Sequence, residues 1–374
     1  TNRLNNKEEL ARFIKEAVTG TKFLAEDEFR KLPDPDLYYK GGGVDLETFD
    51  KSFNSVDPQE KIKHAFNIEK EVLGTDDRII SVSTDYYDSL SEVIMVSSNG
   101  FEGDRNNTYY RLAASVSVKS GDARPQSSWS ESSIFYNQLN RDNIGKQALE
   151  RALKKLGQRK IDSGKMPMIV ENRSIAYGSS PLLGPMISAL NGRSIQQKNS
   201  YLIDQLSKQI AAKGLNIVDD PFIKSGRGSV LFDGEGLATK KREVITNGIL
   251  KNYFIDTYYG RKLDMKPTSG STTNLMIEPG KKSLEELILS LDKGILVTGF
   301  NGGNSNGSTG DYSYGVEGFL IEKGIPVQPI SEMNITGNLK DLWMNFLEAG
   351  SDTKENSSWR IPSLLFDGVD FSGS

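Results

Sequence analysis

Apolar residues recur along this chain at two different periods, and the changes between them mark its parts. From Asn6 onward Leu10, Phe13, Ile14 and Val18 form a stripe at helical spacing, expected to end near Val18. Asn6 stands where an N-cap belongs, and Glu9 follows three residues later. Pro33 and Pro35 break the pattern. Residues 46–73 form a second helical region, with Asp57-Pro58 starting its main helix and Gly74 ending it. The period then falls to two. Residues 79–84, 92–97 and 109–119 read as strands of an antiparallel meander, with a turn at Asn99-Gly100. Helical spacing returns over 141–156, where Ile144, Ala148, Ala152 and Leu156 fall at steps of four.

The second half opens with a strand at 166–170 and a Gly/Ser/Pro passage. A helical amphipath is expected at 201–212. Strands follow at 215–218 and 229–232, then a pair at 243–246 and 249–255 around Asn247-Gly248, a strong hairpin signal. A helix at 283–291 leads into the stretch that organises this half. Residues 295–297 read as a buried strand. Residues 299–310 are so rich in Gly, Asn and Ser that they predict a mobile polar loop. Residues 319–322 and 326–330 flank Lys323-Gly324 as a second hairpin. Asn338 opens a helix running toward Trp343 and Phe346, and residues 362–369 form a last strand. The fold class that follows is α+β with mainly antiparallel sheets and flanking helices. Its two expected domains are 1–160 and a β-dominated 161–374.

Composition narrows the chemistry. In 374 residues there is no Cys and one His, His64, which excludes disulfides, thiolate metal sites and Cys nucleophiles. It also excludes any site needing two imidazoles from this chain. Lys+Arg 46 against Asp+Glu 50 leaves −4, so no basic surplus exists to neutralise the phosphates of nucleic acid. No apolar run approaches a membrane span.

Candidate chemistry is sparse. Gly303-Asn304-Ser305-Asn306-Gly307 matches G-x-S-x-G, but a nucleophile elbow needs a strand before it, a helix after it and a His base. Asp219, Asp220, Asp233 and Glu235 cluster in sequence, and Asp-Asp-Pro and Asp-Gly are ordinary turn chemistry. Gly226-Arg227-Gly228 is too short for a dinucleotide fingerprint. His64 reads as a surface or satisfied core residue.

An ordered set of segments carries a family resemblance. SSNGFEG lies at 97–103, VDDP at 218–221 and FDGEGLATKKREVITNGILKNYFIDTYYGRKL at 232–263. TNLMIEPG follows at 273–280, TGDYSYGVEGFLIEKG at 309–324 and PISEMNITGNL at 329–339. Together they resemble the TldD/PmbA family, also called modulators of DNA gyrase. The resemblance implies a further β-rich N-terminal portion before Asn6. It implies a cytoplasmic metallopeptidase of two paired branches. TldD-like members carry H-E-x-x-x-H and a C-terminal Cys and hold the metal; TldE-like members lack both. Here Gly184, Pro185 and Ala189 stand about where the first His, the Glu and the second His would be, and residues 350–361 hold no Cys. Pro185 would also interrupt a helix interior.

The chain therefore resembles the TldE/PmbA branch, with no catalytic and no metal residue of its own. The expected partners are a TldD-like subunit bringing the metal, zinc, and a peptide substrate. The alternatives are a self-standing peptide-binding or assembly protein, as a homodimer, and a metal-independent hydrolase using Ser305 or carboxylates. Gly302, Gly303, Gly310, Asp311 and Tyr312 are the candidate peptide-path residues, with the glycines letting backbone approach backbone.

Overall fold

The computed structural model describes residues 6–373, and the chain divides into two units at the Leu32–Pro33 boundary. The first contains α1 (Lys7–Thr21), which runs one turn beyond the expected Val18. The Asn6 side-chain oxygen accepts hydrogen bonds from the Glu8 and Glu9 amides, each 3.1 Å, which fixes the helix start.

The second unit begins with a helix-covered sheet. Asp57 caps α2 (Pro58–Lys70), accepting from the Gln59 amide at 2.9 Å with Pro58 at the first helical position. Residues 46–56 ahead of it carry no α-helix, so the helical region is shorter than its spacing suggests. Strands β1 (Ile79–Val96), β2 (Glu102–Val118) and β3 (Gln126–Ser133) form an antiparallel meander. The two strands expected at 79–84 and 92–97 are one. Polar residues between them, including Asp85, Asp88 and Ser91, stay in register with β2. Asp88 lies on the helix-covered face, where Lys61 of α2 pairs with it at 2.5 Å, so a polar residue interrupts the apolar alternation without ending the strand. Helix α3 (Ile144–Lys154) packs Ile144, Ala148 and Ala152 against Leu112, Ala114 and Val116 of β2.

The remainder centres on a ring of strands. In order come β4 (Gly164–Val170), α4 (Asn172–Ile175), α5 (Leu183–Ala189), α6 (Gly192–Gln196), β5 (Ile217–Asp219), β6 (Arg242–Thr246) and β7 (Ile249–Leu250). Then follow α7 (Thr257–Leu263), β8 (Leu275–Ile277), α8 (Leu284–Leu289), β9 (Lys293–Ser305), β10 (Asp311–Glu322) and β11 (Ile325–Asn338). The last elements are α9 (Leu339–Met344), β12 (Phe346–Ala349), β13 (Trp359–Arg360) and β14 (Leu364–Gly373).

Strands β11, β10, β9, β4 and β14 lie side by side, and β14 pairs back onto β11, closing the ring; β12 hangs on β14. Every pair in it is antiparallel except β4 with β9. Met168 and Val170 of β4 enter the main core, while Ile169 faces a second cluster with Leu287, Ile288 and Leu291 under α8. Burial on both faces explains its unbroken apolar run. A smaller sheet, β13-β8-β5-β6-β7, completes the unit.

Both two-residue hairpins form as expected. Asn247-Gly248 has φ of 50° and 77°, Lys323-Gly324 of 51° and 74°, and these paired left-handed residues match the strand twist.

Five expectations about this part of the chain need correction. Residues 299–310 are not a loop: β9 continues to Ser305, and only 306–310 turn. Gly and Asn there were compatible with a strand because β10 supplies the ladder, with Tyr312 opposite Ser305 and Tyr314 opposite Gly303. Residues 201–212 form no helix. The amides of Ile210 and Ala211 donate to the Gly248 carbonyl and that of Ala212 to Trp343, which holds the segment in turns. Residues 229–232 form no strand, and 249–255 pair as a ladder only at β7. Pro185 does not break α5; it lies in the first turn, where backbone N–H groups lack helical partners anyway. No helix among the described residues is long and apolar enough to cross a membrane.

Candidate functional site

The strand β9 and the short helix α5 face each other across a cleft of ≈ 670 Å³. Gly302, Gly303 and Ser305 supply one side, and Gly184, Pro185 and Ala189 the other. The structure thus places two groups of sequence-selected residues in one cavity, though they lie far apart in the chain.

Local chemistry explains how each wall is held. At 302 and 303 the backbone has φ of 93° and 105°, a region that favours glycine. Beyond Ser305 the chain turns tightly: the Gly310 amide donates to the Asn306 carbonyl at 2.8 Å, and the Asn306 side chain accepts from Ser308 at 2.9 Å. The turn is tied to the segment after α6. The Ser308 hydroxyl donates to Asn199 Oδ1 at 2.8 Å, and the Tyr201 amide to the Gly307 carbonyl at 2.9 Å. Opposite, the Gly184 amide donates to the Ser180 carbonyl at 3.0 Å, folding 177–184 over the start of α5.

Gly310, Asp311 and Tyr312 do not line the cleft. Gly310 packs beside the Tyr201 ring. Asp311 is committed to the turn, accepting from the Thr309 hydroxyl at 2.6 Å and Asn338 Nδ2 at 2.9 Å, and these bonds lower its pKa below the ordinary value. Tyr312 is buried against Tyr314, their rings stacked at 5.9 Å, and burial raises its phenol. Sequence reading missed Ser188, Ser194 and Asn199, which complete the cleft. Nothing in their local pattern marks them, since three separate segments bring them together.

The lining is uncharged. It holds hydroxyls, amides, glycines and the edge-to-face pair Phe300 and Tyr314, with centroids 6.1 Å apart. Such a surface can hydrogen-bond a peptide backbone, but zinc does not fit it: the cavity presents no imidazole and no carboxylate. Among the described residues no group of three or more His, Cys, Asp or Glu side chains could hold a metal ion.

The remaining candidates are structural. Ser305 ends a strand and leads into a turn to another strand, so it is not an elbow nucleophile. His64 lies on α2, with Nε2 2.8 Å from the Tyr136 hydroxyl; burial, then Arg141, lowers its pKa. The acidic cluster is fully used. Asp219, 1% exposed, binds Arg242 at 2.9 Å and accepts from the Thr273 amide at 2.6 Å. Asp220 pairs with Lys241 at 3.0 Å, Asp233 accepts from the Glu235 and Leu237 amides, and Glu235 accepts from Thr257.

Comparison with known proteins adds the lineage. Residues 163–373 match the PmbA/TldA metallopeptidase C-terminal domain, and 51–156 the central domain of the same family. Metalloprotease PmbA of Escherichia coli O157:H7 is 30% identical over 97% of this chain and 80% of its own length. A metalloprotease TldD homolog of Buchnera aphidicola subsp. Schizaphis graminum is 26% identical over 81% of this chain and 67% of its own. A Bacteroides thetaiotaomicron crystal structure, described as a modulator of DNA gyrase, is 50% identical, with a TM-score of 0.97 over 100% of this chain and 85% of that one. TldE from Thermococcus kodakarensis shares the fold, at 20% identity and a TM-score of 0.83 over 98% of this chain and 85% of its own. By the match of its larger part to the C-terminal domain and its likeness to PmbA over nearly its whole length, this chain belongs to the PmbA/TldD family.

Proposed function

We propose that this chain is the non-catalytic, TldE/PmbA-like subunit of a two-part cytoplasmic metallopeptidase. A TldD-type partner brings the zinc, and this subunit holds an extended peptide in the cleft between β9 and α5. The observation that carries the reading is the lining of that cleft. Gly184, Pro185 and Ala189 lie on its wall and offer no metal ligand, while hydroxyls and amides around them suit a peptide backbone. Gly302, where an added side chain would meet nothing within 4 Å, leaves the strand backbone open to a peptide lying alongside, and backbone recognition tolerates varied side chains.

The test is reconstitution with a relative that carries H-E-x-x-x-H. The two chains should co-purify, zinc should follow the partner, and peptide hydrolysis should need both. Stoichiometric zinc retained by this chain alone, or hydrolysis by it alone, would overturn the reading. Stable self-association with no affinity for such a relative would favour a self-standing homodimer.

A further inference from the structure

Away from the cleft, a second depression runs along the face of the β1–β2 hairpin. Alternate residues of β1, from Tyr87 through Ser89 and Ser91 to Val93, form its floor beside Tyr109, Asn107 and Arg105 of β2. Four alternate residues on a strand cover about 20 Å. The facing wall is the segment 227–232. Three hollows, of ≈ 570, ≈ 290 and ≈ 180 Å³, meet end to end. The first and second share Thr48, Ser91, Asn107 and Ser229; the second and third share Tyr109, Ile134 and Arg227. The result is one groove with room for roughly six residues of extended chain.

The groove is electrically polarised. At its wide end lies Asp45, in no ion pair among the described residues; Glu102 and Asp104 border it too, but on β2 they alternate with Arg105 and Asn107 and so point to the opposite face of the hairpin. Arg105, the cation there, is turned onto the Phe232 ring and donates to the Phe232 carbonyl at 3.2 Å. At the narrow end lies Arg227, its guanidinium 4.1 Å from the centroid of the Tyr109 ring. No carboxylate among the described residues pairs with it. Glu355 shares that hollow but is bound to Arg360 at 2.8 Å.

The backbone holds Arg227 in place. A Cβ at Gly226 would lie 2.4 Å from Ser229 Oγ, and one at Gly228 would lie 2.3 Å from the Thr273 carbonyl oxygen. The Gly228 amide donates to Oδ1 of the fully buried Asn274 at 2.9 Å, and Asn274 Nδ2 donates to Ser229 Oγ at 2.8 Å. The two glycines that looked like a fragment of a nucleotide loop are a clamp that presents one arginine. Serines 132, 133 and 225 and Asn356 surround it with polar groups.

We propose that this groove binds an extended peptide, with its amino end toward Asp45 and a carboxylate on Arg227. The choice of a peptide rests on the peptidase reading above; the polarity and the anchor rest on the groove. An arginine fixed in advance loses little freedom on gripping a carboxylate.

Titration calorimetry of the purified chain with uncharged-side-chain hexapeptides tests this. The free acid should bind, and its C-terminal amide should bind roughly tenfold more weakly or worse, as expected for losing a charge-assisted pair. Arg227→Gln should remove the difference. An amidated peptide ending in Glu separates the sources: restored binding shows that any carboxylate serves, and no restoration shows that the terminal one is read. Equal binding of acid and amide, an unaltered preference in Arg227→Gln, or no saturable heat at millimolar peptide would overturn the proposal. Ser188→Phe, in the other cleft, should leave the difference between acid and amide unchanged; if it abolishes that difference while Arg227→Gln does not, the carboxylate is read in the cleft instead. Failure to pair with a TldD-type subunit would sink the functional reading and leave this titration as it is.

Discussion

A side chain at position 303 would strike the carbonyl of Ser313: a Cβ built on Gly303 lies 2.1 Å from that oxygen. Gly302, one residue earlier, has nothing within 4 Å. The two glycines therefore differ, although both have positive φ. Gly302→Ala should cost about 1 kcal/mol from backbone strain alone. Gly303→Ala should cost about 2–4 kcal/mol, because β9 and β10 must also separate. Urea unfolding midpoints decide, and equal losses would show that the strand backbone yields freely.

Ser188 is the better probe of the cleft, being exposed and on its wall. Ser188→Phe should leave the unfolding midpoint within about 0.5 kcal/mol of the parent. Peptide processing by the reconstituted pair should fall sharply. Unchanged processing would remove the cleft from the peptide path.

The Asp219–Arg242 pair predicts a large structural loss. Arg242 donates to Asp219 Oδ2 through Nε and Nη2 at 3.0 and 2.9 Å, to the Ser269 and Ser271 carbonyls, and also to Thr268 O. Asp219→Ala strands a buried guanidinium and should cost about 3–5 kcal/mol. A loss under about 1 kcal/mol would mean that water reaches the site.

Lys354 predicts a pH signature. Burial, then Arg173, lowers its pKa from 10.5 to about 8, with Arg227 adding to this and Glu131 and Glu171 opposing it. The folded state therefore sheds this proton before the unfolded state does. Its cost is full below pH 8 and is relieved as pH rises toward 10.5. Lys354→Met should be more stable than the parent at pH 7, with the gap closing between pH 8 and 10.5. Paired urea titrations across that range test it; a gap that does not change with pH would refute it.

What the sequence reveals here is what is decided locally. Asn6 and Asp57 cap helices because their side chains reach amides two or three residues away. Asn247-Gly248 and Lys323-Gly324 turn because their own φ angles suffice. Residues 299–305 were illegible for the opposite reason: their strand state comes from β10. Residues 201–212 looked helical, but the carbonyls of Gly248 and Trp343 hold them otherwise. The cleft was half legible. Its glycines and the α5 positions stood out separately, and nothing in sequence joins them or adds Ser188 and Asn199. The Arg227 groove could not be read at all, because strand, loop and turn contribute to it from distant positions.

The closed ring has a consequence for how the protein is made. Its strand β4 is flanked by β9 on one side and β14 on the other, and β14 is the last strand described. A ribosome delivers β4 long before either neighbour. The meander β1–β3 can fold from contiguous sequence as it emerges, whereas β4 must wait with both edges bare. Long-range pairing of this kind is slow, and unpaired apolar strands invite aggregation meanwhile. Nascent chains stalled before β14 should thus draw on chaperones, and release should mark the moment the barrel shuts.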